Sequence, residues 1–360
     1  MLSPSEKRDK IIRATDLDAL SCRYSTNNKS YFQPADNYIN KIIASYQNHL
    51  QFCKGYSQLS AGRTLRSVFN EQKLPLINRG TYLRTKVIDL VVEEFIKEFK
   101  QVQIISLGGG SDTRCFRVFE KYQENIKYIE FDFPESVKIK KLAIENDEEL
   151  KKLIGDTAEA KEIGTKEEFV QLESELHTAK YHLIGFDLRE LDQLNEDYID
   201  KDTPTLILSE CVLCYLTPKE NEDIMSYWKN KLDKRCYLIY EPMSLNDAFG
   251  ETMTQNLSNR GIDLHTFHKY PNLTTRHSFF RDTIGLNNVK LTDTSDIAGY
   301  SGSLSNKEWI STTELNRINR LELIDELEEI RLLFKHYCLC YGESHNFHFN
   351  GINKYKWMIE

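Results

Sequence analysis

Four apolar blocks, each closed by glycines or by an acid, constrain this chain more than any other feature. They are VQIISLGGG (102–110), IKYIEFD (126–132), YHLIGFD (181–187) and TLILSE (205–210). Their apolar character is continuous rather than alternating, which is the pattern of strands covered on both faces, and amphipathic helical segments lie between them. CYLIYEP (236–242) and NNVKLTD (287–293) extend the series. Strands that alternate with helices in this way predict an open, doubly wound, mostly parallel α/β sheet.

The remaining regions fill in around that sheet. From Thr15 to about Phe99 the pattern reads as helix: Thr15, Asp16 and Asp18 offer caps, and Ile88, Val91, Val92, Phe95 and Phe99 mark one face by their three-four spacing. Residues 1–100 are therefore expected to form a helical N-terminal extension and cap, and 101–360 the core, in one integrated domain, as 360 residues allow. The charged stretch 147–180 is too long for a simple crossover and is read as solvated surface, helical in part. Between about Ser244 and Asp282 the late strands are interrupted by a segment carrying His265, His268, His277, Arg276 and Arg281. A helical lid is the preferred reading there, with a metal site as the alternative. Near the end, Leu323, Leu327, Ile330, Phe334 and Tyr337 alternate at four and three, which predicts an amphipathic helix with DELEE on its acidic face.

Charge and cysteine usage exclude several classes of function. A net charge of -8 argues against a general nucleic-acid binder, which needs a basic face. The first residues, MLSPSEKRDK, lack the apolar core of a signal peptide, and no run approaches the roughly 20 apolar residues of a membrane span. A cytoplasmic chain, with a nuclear pool allowed, is the expectation; no membrane partner and no second copy are expected. The eight cysteines are scattered through core-like segments, as reduced thiols would be. Only Cys211-x-x-Cys214 has motif spacing, and burial competes there with a zinc or redox role.

In an open parallel sheet, ligands sit beyond the carboxyl ends of the strands. Gly108, Gly109 and Gly110 stand at one such end, where glycine permits positive φ and lets a ligand approach the backbone. Asp132 closes the next block about twenty residues on, where a nucleotide-binding unit presents an acid to ribose hydroxyls. Asp187 and Glu210 close the next two. Three acids on the rim that holds the glycine loop imply a polar ligand rich in donors, with a positive charge allowed. A nicotinamide dinucleotide would favour a third glycine where Thr113 stands, and Asp112 would repel its phosphate. S-adenosyl-L-methionine has no phosphate and offers ribose hydroxyls, an adenine amine, an ammonium and a sulfonium, so it suits these acids better. No metal site is assigned.

LGGGSDTR, YIEFDFPE, GFDLREL, SECVLCYLTP, the upstream NRGTYLRT and the late LIDELEEIRLLFKHYCLC together resemble the leucine carboxyl methyltransferases, from about Thr15 to about Tyr341. The resemblance implies a class I methyltransferase-like fold. It also implies methyl transfer from S-adenosyl-L-methionine to the C-terminal leucine carboxylate of the type 2A protein phosphatase catalytic subunit, leaving S-adenosyl-L-homocysteine. On the matching positions it implies cofactor contacts from Gly108 and Gly110 in the loop, Asp132 at the ribose, Asp187 and Leu188 at the adenine, and Glu210 near the methionine moiety. Arg84 would anchor a carboxylate in the site, contacting the cofactor as well, and Tyr215 would sit beside the transferring methyl. Arg23 stands where the family often has lysine, and so would meet the cofactor carboxylate as a planar fork rather than a point charge. Arg79 is a second candidate cation. A related enzyme acting on a small carboxylic acid and a nicotinamide oxidoreductase are the alternatives.

Overall fold

The computed structural model describes residues 4–122, 124–155, 157, 162–300, 302 and 306–360. Four helices precede the first strand: α1 (Pro4–Asn28), α2 (Ile39–His49), α3 (Gln58–Asn70) and α4 (Pro75–Glu98). They are followed by β1 (Val102–Leu107), α5 (Arg114–Lys121), β2 (Ile126–Asp132), α6 (Pro134–Glu145), α7 (Glu148–Ile154) and α8 (Lys166–Gln171). Next come β3 (Glu175–His177), β4 (Tyr181–Gly185), β5 (Thr205–Glu210), α9 (Pro218–Lys231) and β6 (Arg235–Pro242). The chain continues through α10 (Ala248–Asn259), α11 (Leu273–Ser278), β7 (Asn287–Asp293), α12 (Thr294–Ile297), α13 (Thr312–Ile318), α14 (Leu327–Lys335) and β8 (Tyr337–Glu343). All six expected strands are present, and the strands are mostly parallel, as the continuous apolar blocks require.

The chain divides into two compact units, residues 1–74 with 108–190, and 75–107 with 191–360. The first unit holds the glycine loop. In it β2 pairs in parallel with β4, from Tyr128 opposite Tyr181 to Asp132 opposite Gly185, and the short β3 runs antiparallel along β4. Helix α2 lies on α6, where the Ser45 hydroxyl donates to the Ile139 carbonyl at 2.6 Å. Part of the charged stretch is helical, as expected, in α7 and α8, but it ends in β3, which the alternating ELH was too short to announce. Residues 156 and 158–161 of that stretch lie outside the described residues.

The second unit begins with α4, so the division passes through the N-terminal helical stretch. On α4 Ile88, Val91, Val92 and Phe95 of the predicted face are buried, whereas Phe99 lies just past the end of the helix and is half-buried. Strands β1, β5 and β6 are parallel, while β8 runs antiparallel to both β6 and β7. Every residue of β1 and of β6 is buried, which is why neither alternates.

Two expectations are corrected. The late amphipathic helix is shorter than its periodicity suggests: Ile330 and Phe334 are buried on α14, but Leu323 is 84% exposed, Leu327 is 48% exposed and Tyr337 opens β8. The run YCLCYGE pairs on both edges, and those two ladders outweigh one more helical turn. At the other end, Thr15, Asp16 and Asp18 lie inside α1, which begins at Pro4, so none of them caps it. The segment after Ser244 is helical, in α10 and α11.

Candidate functional site

Each glycine of the loop has its own physical reason in the first unit. Gly108 and Gly110 have φ of 69° and 43°, in the left-handed region that side chains rarely adopt. Gly109 lies on a side chain: a β-carbon there would come within 3.2 Å of Glu130 Cβ. At Gly110 a β-carbon would come within 2.5 Å of Asp16 Oδ1 and 3.5 Å of Asp132 Oδ2. The bare backbone is thus wedged among carboxylates.

Those carboxylates take the loop's amides. Asp132 accepts from the Gly110 N–H at 2.7 Å and from the Phe133 N–H at 2.7 Å. Asp16, reaching out from α1, accepts from the Ser111 N–H at 2.8 Å, the Ser111 hydroxyl at 2.6 Å and the Tyr46 hydroxyl. Asp112 accepts from the Arg114 N–H at 3.0 Å. Burial first, and the neighbouring Asp16 carboxylate second, push the Asp132 carboxyl up to about 7.

Two other predicted binding residues of this unit are engaged by their own chain. Asp187 accepts from Arg189 Nε at 2.8 and 3.0 Å and from Nη2 at 2.5 Å. Burial alone would raise its carboxyl, but the Arg189 hydrogen bonds hold it below the usual carboxylate range. Leu188, buried, begins the turn that follows. The buried Arg23 pairs with Asp112, donates to Thr113 Oγ1 at 2.9 Å and reaches Asp36 at 3.4 Å. Its planar fork bridges the loop and the α1–α2 connection, a geometry an ammonium cannot reproduce.

In the second unit Arg84, on α4, pairs through Nε with Glu210 at the end of β5. Its Nη2 lies 3.5 Å from the Glu210 carbonyl, and its guanidinium stands 5.6 Å from the centre of the Tyr240 ring. About a quarter of the Arg84 side chain (26%) stays exposed. Thr217 caps the helix that follows, accepting from the Glu220 N–H at 3.2 Å while the Glu220 carboxylate accepts from the Thr217 N–H at 2.6 Å. Tyr215 ends the short turn Leu213–Tyr215 between them. Arg79 is buried and donates to the Ile318 carbonyl at 3.3 Å, a structural tie to α13 rather than a free cation.

The cysteine spacing has a plain explanation. Burial pushes the Cys211 thiol up to about 12 and Cys214 well above its ordinary value, so both stay protonated at neutral pH. Among the described residues no three His, Cys, Asp or Glu side chains are placed to hold a metal ion, and no helix is long and apolar enough to cross a membrane.

Comparison with known proteins decides the family. The family model described as leucine carboxyl methyltransferase matches residues 11–228. Over the full length of both chains, the sequence is 61% identical to leucine carboxyl methyltransferase 1 of Debaryomyces hansenii and 50% identical to that of Candida albicans. It is 35% identical to that of Schizosaccharomyces pombe, over 93% of this chain and 95% of the other. The chain belongs to the leucine carboxyl methyltransferase family. A solved putative methyltransferase from Thermobifida fusca matches with a TM-score of 0.47 and 12% identity, over 84% of this chain and 94% of that one.

For a member of this family, sequence reasoning located the glycine loop and the acids at the strand ends. It missed Asp16 as a partner of the loop, Asp36 as a partner of Arg23 and Tyr240 as the ring beneath Arg84. Asp16 stood in plain view as a cap, since an acid near a helix start has two uses and only the packing of α1 selects between them. The other two carried no signal at all.

Proposed function

We propose that this chain transfers a methyl group from S-adenosyl-L-methionine to a protein C-terminal leucine α-carboxylate, that of the type 2A protein phosphatase catalytic subunit, giving a leucine methyl ester. The observation that carries this reading is the Arg84–Glu210 pair in a chain of this family. A guanidinium already matched to one carboxylate through Nε, a quarter exposed, has its other edge to offer a second.

The residues present fit the cofactor. Gly110 makes a cradle that a β-carbon would fill, with Asp16 and Asp132 on either side. The amides of Gly110, Ser111 and Arg114, which would receive a pyrophosphate, are bonded to Asp132, Asp16 and Asp112 instead. This donor set favours a phosphate-free, cationic nucleoside over a nicotinamide dinucleotide. In the first unit, Gly108, Gly110, Asp132, Asp187 and Leu188 would hold it. S-adenosyl-L-methionine, when bound, supplies an electrophilic methyl group.

The chain's own task is then modest. A peptide α-carboxylate, with a pKa of roughly 3.3 to 3.7, is ionised at neutral pH and needs no general base. It needs a cation to draw it among acids and strip its water, which is the role of Arg84, and a hydrogen-bond donor to fix one oxygen, which is the role of Tyr215. The helical segment between Ser244 and Asp282 is assigned as a cover for the substrate end.

Incubation with labelled S-adenosyl-L-methionine and purified phosphatase catalytic subunit, with and without its last leucine, tests the reading. Label confined to the intact chain and released by mild base supports it. Label on the truncated chain, or on small carboxylic acids alone, removes it.

A further inference from the structure

We infer that Lys140 and Glu130 form a buried positioning pair that sets the shape of the glycine loop, and with it the affinity for the cofactor; this rests on the proposed use of the loop. Neither residue is part of the binding set above. Lys140, on α6, and Glu130, on β2, are 1% and 0% exposed. The Lys140 ammonium donates to Glu130 Oε2 at 2.6 Å and, on its other side, to the backbone carbonyl of Asp112 at 2.6 Å. Asp112 belongs to the turn that leaves the glycines, since its own N–H donates to the Gly109 carbonyl at 2.9 Å. The Tyr181 hydroxyl donates to the same Glu130 oxygen at 2.6 Å and fixes the carboxylate from β4.

The same glutamate forms the floor of the loop. Its side chain fills the space a β-carbon on Gly109 would need, with contacts of 3.2 to 3.4 Å. The pair therefore holds the loop twice, from below through Glu130 and by its Asp112 carbonyl through Lys140. Stability does not account for such an arrangement. A buried ion pair is at best weakly stabilising, and Glu130 Oε1 is buried with no hydrogen-bond partner, which adds a cost. A costly pair attached to one backbone carbonyl is what fixing a backbone position demands.

Removing Lys140 alone strands a buried carboxylate, so two variants are needed. Lys140→Met breaks the tie, and Glu130→Gln combined with Lys140→Met removes both charges together. Amide hydrogen exchange across residues 108–113 is read without cofactor, and the Kd for S-adenosyl-L-homocysteine is read by calorimetry. The double variant is expected to stay folded, to exchange faster in 108–113 than elsewhere, and to bind about tenfold to hundredfold more weakly. Its methyl transfer at saturating cofactor should be nearly unchanged. Wild-type exchange and wild-type Kd in the folded double variant would overturn the inference. Wild-type protein that binds neither S-adenosyl-L-homocysteine nor S-adenosyl-L-methionine would instead overturn the cofactor reading itself, and this inference with it.

Discussion

The two units treat their charged residues differently. In the first, the acids nearest the glycines are satisfied by their own chain: Asp132 by two backbone amides, Asp16 by Ser111 and Tyr46, Asp187 by Arg189, and Asp112 by Arg23 and Arg114. In the second, Arg84 meets Glu210 with one edge and leaves about a quarter of its side chain to solvent. One region is a rigid cradle whose polar groups are committed before any ligand arrives. The other keeps a cation in reserve. The difference separates residues that hold a loop in shape from a residue with an edge still open to a ligand.

The largest expected effect breaks the second half of that comparison. Arg84→Ala should lower methyl transfer by about 10²- to 10³-fold with the fold intact, because it removes the guanidinium proposed to draw in the carboxylate. Tyr215→Phe, which deletes a hydroxyl and leaves the ring, should also be severe, at about 10²-fold. Near-normal turnover of both variants with cofactor saturating would remove them from the mechanism. Because the nucleophile is already ionised, the wild-type rate should be nearly flat between about pH 6 and 8. A steep rise governed by one group near neutrality would contradict a reaction without a base.

The cradle should respond next. Gly110→Ala forces a side chain into the left-handed region at φ 43° and against Asp16 Oδ1, at a cost of about 1 to 3 kcal/mol. Cofactor affinity should fall with stability, and both should be measured, by calorimetry and by thermal melting. An unchanged melting temperature would mean that the loop is soft enough to yield, against the picture of a committed cradle.

Acid titration sharpens the contrast inside the first unit, since Asp132 and Asp187 have opposite signs. The folded-state carboxyl of Asp132 lies near 7, above its ordinary value of 3.8. Its protonated form is therefore favoured by folding, and the stability it contributes is present below about pH 4 and lost as pH rises toward 7. Asp187 is held below the same ordinary value, so its contribution is present above that value and is lost in acid. Asp132→Asn should flatten the slope of melting temperature between pH 4 and 7, while Asp187→Asn should act only at the acid end. A slope unaltered by Asp132→Asn would contradict the assignment of that titration to Asp132.

How much of this was legible beforehand follows from range. The strands, the glycine loop and the acids that close β2 and β5 are local patterns, in which a run of buried positions ends where the sheet ends. Arg84 and Tyr215 were reached only through their surrounding motifs, because one arginine on a long helix looks like any other. β8 was lost because YCLCYGE follows a helical repeat without a break, and its two neighbours are remote in sequence. The partners of Arg23 had the same defect. Asp36, Asp112 and Thr113 come together only when α1 packs beside the loop, a contact that no spacing encodes.

The smallest expected effect concerns the pair that looked most like a motif. Cys211 follows Glu210 directly and Cys214 lies three residues further on, so a zinc or redox role would put special chemistry close to the partner of Arg84. Burial opposes it: a thiol pushed up to about 12, with its neighbour also held well above its ordinary value, supplies no thiolate at neutral pH for metal or disulfide exchange. Cys214 is 1% exposed and behaves as a small apolar residue, so Cys214→Ala should cost about 1 kcal/mol, the scale of a small core deletion. For a chain of 360 residues that is a shift of roughly 1 to 2 degrees in melting temperature. Methyl transfer should withstand both this change and excess chelator. Loss of activity on chelation, or an alkylation rate for Cys214 matching that of an exposed thiol, would put that chemistry back beside the reserved cation.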